Sequence, residues 1–392
     1  MTIQWIPLIT LLVVNFLLDL WLYRKFRRSE HWPRLKSGAH AVLSLVLLGL
    51  IVAVIATPRK ECDDTTFVGV MWAIFTYYAF YVPRYLAAMV WVPTHLKRSG
   101  PRVRKCGAVV ATVVGVAAFL FMWSGEFFTT YRINVNRVEL EFENLPPEFD
   151  GYRIAQFSDT HLVTYGRNTR FIDFCVDSIN SLKPDLICFT GDLVTMGRSE
   201  AEPYTAILKS IHAPVYSVLG NHDFLIYERS FDDATRRMEV DSLAAFERGE
   251  LGWNLLRNDH SEIYAPDGSR ITIVGVDNKN CSNQGFQTID RGDLPQAMTG
   301  VEGFSILLTH DPSHWEAEVL PDTDIPLTLS GHTHAAQVRI LGWSLARLMF
   351  RHADGRYDEG GQTLYVNAGL GCTAPFRIGA GPEITIITLL SD

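Results

Sequence analysis

Four apolar stretches crowd into the first 125 residues: about Ile3 to Tyr23, Gly38 to Thr57, Phe67 to Val92 and Gly107 to Trp123. Crossing a hydrocarbon core takes about 20 residues at the helical rise, and each stretch is of that order. Inside a water-soluble domain they would need an unusually large dry core; as membrane spans they need only lipid and one another. The first is not read as a cleaved signal peptide, because it is too long, lacks a basic start and is followed by three more. The expectation is a four-helix transmembrane region over residues 1–125 and a separate domain over 126–392.

Charge divides the chain in the same place. Residues 1–125 carry 14 Lys+Arg and 5 Asp+Glu, a net of +9; the remaining 21 basic and 38 acidic residues give −17. So acidic a domain repels phosphate polymers, which argues against a nucleic-acid binder. Loop charges set the expected orientation. The first loop holds Arg24, Lys25, Arg27, Arg28, Arg34 and Lys36, and the third Lys97, Arg98, Arg102, Arg104 and Lys105. The second has only Arg59 and Lys60, opposed by Glu61, Asp63 and Asp64. The basic loops belong in the cytoplasm. The acidic domain then faces the periplasm or exterior of a cytoplasmic (inner) membrane, with membrane lipids as partners of the spans. Within the spans, Asn15 and Asp19 share a helix face and Arg84 lies at similar depth, so an Asp19–Arg84 ion pair would lower the cost of burying either charge.

Beyond Tyr131 the pattern changes. An apolar strand around Val135–Phe142 ends at Pro146-Pro147 and Asp150-Gly151. Then an apolar run followed by a polar loop recurs five times. Tyr152–Ser158 leads into Asp159-Thr160-His161, Asp185–Thr190 into Gly191-Asp192, and Val215–Leu219 into Gly220-Asn221-His222-Asp223. Phe304–Leu308 leads into Thr309-His310, and Ile325–Ser330 into Gly331-His332-Thr333-His334. Helix-like stretches cover about 168–182, 200–211 and 231–249, and later segments around 263–265, 271–276, 364–366 and 384–390 read as β-structure. Strands alternating with helices first and dense later suggest an α/β sandwich of two packed sheets.

Each polar motif alone is weak. Their joint occurrence after apolar strands is not, since gathering acids and imidazoles unpaired would be costly. One or two bound cations remove that cost. Mixed Asp, His and Asn donors suit Mn, Fe or Zn better than Ca, which takes oxygen ligands only. Competing chemistries are absent: there is no G-x-x-x-x-G-K-[ST] loop and no G-x-S-x-G elbow, and Gly369-Leu370-Gly371 is too short for a dinucleotide fingerprint. The cysteines decide little. Cys62 and Cys106 are expected on opposite sides of the membrane, Cys175 and Cys188 as buried thiols, and Cys281 and Cys372 in loops where they either pair or stay separate.

The ordered set Asp159-Thr160-His161, Gly191-Asp192, Gly220-Asn221-His222-Asp223, His310 and Gly331-His332-Thr333-His334 closely resembles the calcineurin-like metallophosphoesterase superfamily over about residues 150–390. Within it, Asp150-Gly151-Tyr152-Arg153-Ile154 and Pro382-Glu383-Ile384-Thr385 look most like the membrane-anchored YkuE/YaeI-type bacterial phosphoesterases. The resemblance implies the two-sheet metallophosphoesterase sandwich and two divalent metals. One metal is implied on Asp159, His161, Asp192 and His334, the other on Asp192, Asn221, His310 and His332, with Asp192 bridging. Two such ions activate a bridging water and hold phosphate oxygens for in-line attack. His222 is implied as the general acid or as a charge stabiliser, with Asp223 either orienting it or capping the loop. Many relatives have two glycines after the last motif, where this chain has Ala335-Ala336. Arg167 is either a phosphate contact or a surface residue, and His314 is read as either supporting a ligand from behind or structural.

The expected function is hydrolysis of a phosphate mono- or diester or a pyrophosphate, on a substrate that the anchor suggests is lipid-linked or envelope-derived. A sensor or scaffold that binds a phosphorylated ligand without turnover is the alternative, disfavoured by the complete donor set and the intact His222. A transporter built from the spans has only one buried charge pair in its support.

Overall fold

The computed structural model describes residues 5–57, 64–94, 99–166, 168–228, 230–284, 288–371 and 374–392. Cys62, the charged residues 59–61 and 63, Lys97, Arg98, Arg167 and Cys372 lie outside them, and with Cys372 the question of its pairing with Cys281. The chain divides into two compact units, Met1–Trp123 and Ser124–Asp392.

The first unit is helical: α1 (Trp5–Arg27), α2 (Pro33–Ala56), α3 (Asp64–Thr94) and α4 (Pro101–Ser124). Among the described residues, three helices are long and apolar enough to cross a membrane: Pro33–Ala56, Asp64–Thr94, and Pro101–Thr129, which adds to α4 the single π-turn Gly125–Thr129. The sequence reading expects four. The fourth helix, α1, carries Asn15 and Asp19 within its apolar run and Arg24, Lys25 and Arg27 in its last turn.

Those two polar residues meet α3, where Tyr77, Tyr81 and Tyr85 recur every four residues along one face. Asn15 bonds to the hydroxyls of Tyr77 and Tyr85. The Tyr81 hydroxyl donates to Asp19 Oδ2 at 2.7 Å, and Arg84 Nη1 lies 2.9 Å from Asp19 Oδ1. The expected ion pair is formed, with both side chains largely buried. Removing one member leaves a charge without its partner in an apolar setting. Asp19→Arg or Arg84→Asp alone should therefore collapse the yield of monodisperse protein in size-exclusion chromatography, and the double exchange should restore much of it.

In the second unit, the alternation of apolar residues builds two mixed six-stranded sheets. One runs in the order β1 (Asn134–Phe142), β14 (Glu383–Ser391), β2 (Arg153–Phe157), β3 (Leu186–Phe189), β4 (Val215–Ser217), β5 (Asn254–Leu255). The other is β12 (Gly355–Glu359), β13 (Gln362–Val366), β9 (Leu327–Ser330), β8 (Ser305–Leu308), β7 (Arg270–Gly275), β6 (Asp259–Tyr264). Strands β2 to β5 pair in parallel, as do β7, β8, β9 and β13.

Side chains of period two split each strand between two cores. Ile154, Leu186 and Cys188 meet Ile273, Ile306 and Leu329 between the sheets. Their neighbours Ala155, Ile187 and Phe189 face Phe171, Cys175 and Ile179 of α5 (Arg170–Leu182) and Val240 and Leu243 of α7 (Asp233–Ala245). On the far side of the second sheet, Val274, Leu307 and Val366 pack on Trp315 and Val319. This is the expected sandwich. Helix-like residues 200–211 resolve into a 3-10 stretch, Arg198–Tyr204, and the one-turn α6 (Thr205–Leu208). The short hairpin β10 (Arg339–Ile340) and β11 (Trp343–Ser344), and β12, have no counterpart in the sequence reading.

Candidate metal centre

The parallel strands β2, β3 and β4 of one sheet and β8 and β9 of the other release their chains toward one another at their C-terminal ends, where open α/β sheets place ligand sites. The first three deliver Asp159, Asp192 and Asn221; the other two deliver His310, His332 and His334. Apart from a half-buried His222, all nine sequence-predicted residues are buried.

They come together as two donor sets. In one, His161 Nε2 lies 3.1 Å from His334 Nε2, and Asp159 Oδ1 lies 3.4 Å from His334 Nε2 and 4.0 Å from His161 Nε2. In the other, His310 Nε2 is 3.1 Å from Asn221 Oδ1 and 3.2 Å from His332 Nδ1. Asp192 Oδ2 belongs to both, 3.6 Å from His161 Nε2 and 3.1 Å from His310 Nε2. Donor atoms of Asp159, His161 and His334, and of Asp192, His310 and His332, lie within 4.8 Å of one another in each trio, as do those of His161, Asp192 and His222.

Groups behind the donors fix their tautomers and rotamers. His310 Nδ1 donates to the Thr190 carbonyl at 2.7 Å, which turns Nε2 inward. His332 Nε2 meets Gln284 Oε1 at 2.8 Å, leaving Nδ1 for the site, while Gln284 Nε2 donates to Asp311 Oδ2 at 2.6 Å. His161 Nδ1 meets Thr195 Oγ1 at 3.1 Å. Gln284, Asp311 and Thr195 are absent from the sequence reading. Asp311, beside His310, had an adjacency signal; Gln284 lies in a loop with none. His314 binds Thr309 and Glu318 and stays out of the site.

Of the two roles expected of Asp223, its hydrogen bonds are those of a loop cap and not of a group that orients His222. Its Oδ2 accepts from the amides of Asp192 at 2.7 Å and Gly220 at 2.9 Å, and its Oδ1 from that of Val194 at 3.1 Å. His222 instead sets Nδ1 at 3.3 Å from the Thr195 carbonyl and stacks on Tyr227 with ring centroids 4.4 Å apart. The turn sends the two neighbouring side chains apart: Asp223 ties the β3 loop to the β4 loop, and His222 looks into the site.

The backbone is strained at the same place. Asp159, His161, Asp192, His332 and His334 all have positive φ, between 41° and 73°. Left-handed conformations are uncommon outside glycine and cluster at functional sites. Close approach also demands a glycine at Gly331, where a Cβ would sit 2.5 Å from Asp159 Oδ2 and 2.6 Å from Ser158 Oγ. Ala335 and Ala336 continue the left-handed run at φ 52° and 50°, where glycine would be relaxed. Ala336→Gly should stabilise the domain by about 1 kcal/mol, raising Tm by about 2–4 °C in a thermal-shift assay.

The donor set fits divalent metal. His310 Nε2, Asn221 Oδ1 and Asp192 Oδ2 turn lone pairs toward one another, so positive charge has to lie among them. Without a metal that charge is a proton: burial opposes it, but Asp192 and Asp159 push the His310 imidazolium up to about 10. Burial would raise Asp192, yet His310 and His222 hold it well below the usual carboxylate range. Burial, reinforced by the Asp192 charge, raises Asp159. Burial keeps His161 and His334 neutral, helped respectively by His222 and by the charge of Arg377. Neutral imidazoles and paired carboxylates are what borderline divalent ions take. Asp159, His161 and His334 with Asp192, and Asn221, His310 and His332 with the same Asp192, are the residues that would hold them.

A model of the calcineurin-like phosphoesterase family matches residues 152–336. Together with paired donor sets at the strand ends of an α/β sandwich, that match defines a metal-dependent hydrolase. The chain is also 33% identical over 275 residues to the uncharacterized metallophosphoesterase YkuE of Bacillus subtilis (strain 168), covering 68% of this chain and 88% of that protein. It belongs to the calcineurin-like metallophosphoesterase family. A transmembrane protein with metallophosphoesterase domain from Danio rerio is 32% identical over 263 residues, covering 64% of this chain and 56% of that one. The UDP-2,3-diacylglucosamine pyrophosphatase LpxG of Chlamydia trachomatis is 26% identical over 340 residues, covering 73% and 97%.

Proposed function

We propose that this chain hydrolyses a phosphate mono- or diester, or a pyrophosphate, on the outer face of the cytoplasmic membrane, using two divalent ions of the Mn, Fe or Zn type. One observation carries the reading: a single carboxylate oxygen, Asp192 Oδ2, faces both donor sets. Bound there, two cations supply an activated water and neutralise the phosphoryl charge. The chain's own residues do the rest. Asp223 holds the Asp192 amide, and Asp192 Oδ1 accepts from the His222 amide at 2.8 Å, which locks the acid's loop to the bridging group. With Nδ1 turned to the Thr195 carbonyl, His222 presents Nε2 to the leaving-group oxygen and delivers a proton there. The eleven basic residues of the first and third loops against two in the second support the outward orientation.

The test is turnover of p-nitrophenyl phosphate and bis-p-nitrophenyl phosphate by the purified full chain loaded with Mn, Fe or Zn. Release of p-nitrophenol that a chelator abolishes and metal restores is expected. Phosphate binding without release from either ester would instead make the domain a sensor.

A further inference from the structure

Most exposed large apolar residues of Ser124–Asp392 fall in two short segments. One is the β10–β11 hairpin and the turn after it, with Ile340, Leu341, Trp343, Leu348 and Met349; the other includes Phe128. Leu341, at the hairpin tip, is 102% exposed, Leu348 74% and Phe128 74%. Leu341 has φ 51° and Gly342 φ 82°, the two left-handed residues of a tight hairpin turn, so the apolar tip is a shaped feature.

Both segments are fastened to the same strip of chain. The Arg339 amide donates to the Ile378 carbonyl, and the Ile378 amide to Gln337, each at 2.7 Å. On the other side, the Arg377 amide donates to Thr130 Oγ1 at 3.0 Å, and a Cβ on Gly125 would lie 2.5 Å from Ile378 Cγ1. Arg377 itself is fully buried, its guanidinium donating to the carbonyls of Ala368 and Ala380 at 2.9 Å each, so the strip is rigid. Phe128 also lies in the π-turn that ends the apolar Pro101–Thr129 helix, so the strip holds the residues by which the chain enters this domain from an apolar helix.

The hairpin reaches the metal centre as well. Ser344 Oγ donates to the Ala335 carbonyl at 2.7 Å, and the Phe350 ring stands edge-on to His332 with centroids 5.7 Å apart. An apolar rim with a tryptophan, beside a polar site and close in the chain to an apolar helix, has the composition of an interfacial surface. The arginines of this stretch do not supply the attraction, since Arg339 and Arg347 pair with Asp354 and Arg351 with Glu316.

We infer that this rim seats in the acyl boundary of the bilayer and receives the hydrocarbon chain of a membrane-resident phosphoester, whose phosphate then lies on the metal centre. The inference rests on the phosphoesterase reading of that centre and adds the substrate class: an acylated or alkylated amphiphile.

The test uses the full Mn-loaded chain in phospholipid nanodiscs with methyl and hexadecyl p-nitrophenyl phosphate. In both, water adds to phosphorus and p-nitrophenolate leaves, giving the alkyl phosphate. The hexadecyl ester should be turned over with kcat/KM about tenfold or more above the methyl ester. The double variant Leu341→Asp/Leu348→Asp should lose that preference and keep methyl-ester turnover. Equal rates for both esters in the unaltered chain, or a preference that survives the double variant, would overturn the inference.

A second readout is independent of catalysis. A fluorophore on Leu341→Cys, with Cys62, Cys106, Cys281 and Cys372 replaced by serine, should be quenched by doxyl groups on lipid tails. Quenching with neither ester cleaved would keep the rim in the bilayer and sink the phosphoesterase reading. No quenching, or a dimer that dissolves on Leu341→Asp, would overturn the rim's assignment to lipid, the dimer giving it to a second copy.

Discussion

Asp192→Asn should leave a folded protein that holds little metal and turns over no phosphoester at a measurable rate. The substitution keeps the shape of the side chain, and Oδ1 can still accept from the His222 amide at 2.8 Å. What goes is the charge on Oδ2, which stands 3.1 Å from His310 Nε2 and 3.6 Å from His161 Nε2 and is the atom common to both donor sets. A neutral amide there cannot offset two cations, so both ions bind more weakly. Metal supplies several kcal/mol of transition-state stabilisation in such sites, and at 1.36 kcal/mol per tenfold the loss is about 10³-fold or more. Elemental analysis beside circular dichroism separates loss of metal from loss of fold. An Asp192→Asn protein with full metal content and full activity would remove the bridging role.

His222→Gln should behave in the opposite way, keeping its metal and losing rate. His222 Nδ1 is engaged by the Thr195 carbonyl at 3.3 Å, and in the proposed reaction the other ring nitrogen serves the substrate. A positioned acid contributes about 10²–10⁴-fold. That contribution depends on the leaving group, since a nitrophenolate departs without a proton and an alkoxide does not. The variant should therefore lose far more rate on alkyl esters than on nitrophenyl esters, with KM little changed. An equal loss on both, or a parallel loss of metal, would make His222 a ligand instead, as its place in the trio with His161 and Asp192 allows.

The two sheets and the metal cluster were legible because each donor follows a buried apolar strand, and an Asp or His at such a place has few other reasons to be there. Asp159 after β2 and His332 after β9 carry that signal in the chain itself. Their left-handed backbone does not show, because asparagine, aspartate and histidine tolerate it and nothing in the sequence distinguishes a strained Asp159 from a relaxed one. Gln284 stayed hidden for a related reason: it reaches His332 from far along the loop that follows β7 (Arg270–Gly275), not from the strand end. Asp223 shows that adjacency misleads, since a side chain one residue from His222 spends its hydrogen bonds on amides of Asp192, Val194 and Gly220. In the helical unit, apolar length made all four helices legible, and the similar depth of Asp19 and Arg84 made their ion pair legible as well. Short exposed strands such as β10 and β11 leave no periodic pattern to read.

The order of strands in the first sheet has a consequence for biosynthesis. β1 emerges soon after the last apolar helix, yet its nine-residue parallel partner is β14, from Asn134 opposite Glu383 to Phe142 opposite Ser391. β14 also stands between β1 and β2, so the two strands that follow each other in the chain never pair directly. Until β14 is made, β1 has no partner and β2 has an open edge beside the Asp159 loop. Closing the sheet is then the last long-range step, and such pairings form slowly. A chain stalled before β14 would carry all the donor residues beside an unsealed sheet, an exposed edge of the kind that chaperones and proteases recognise.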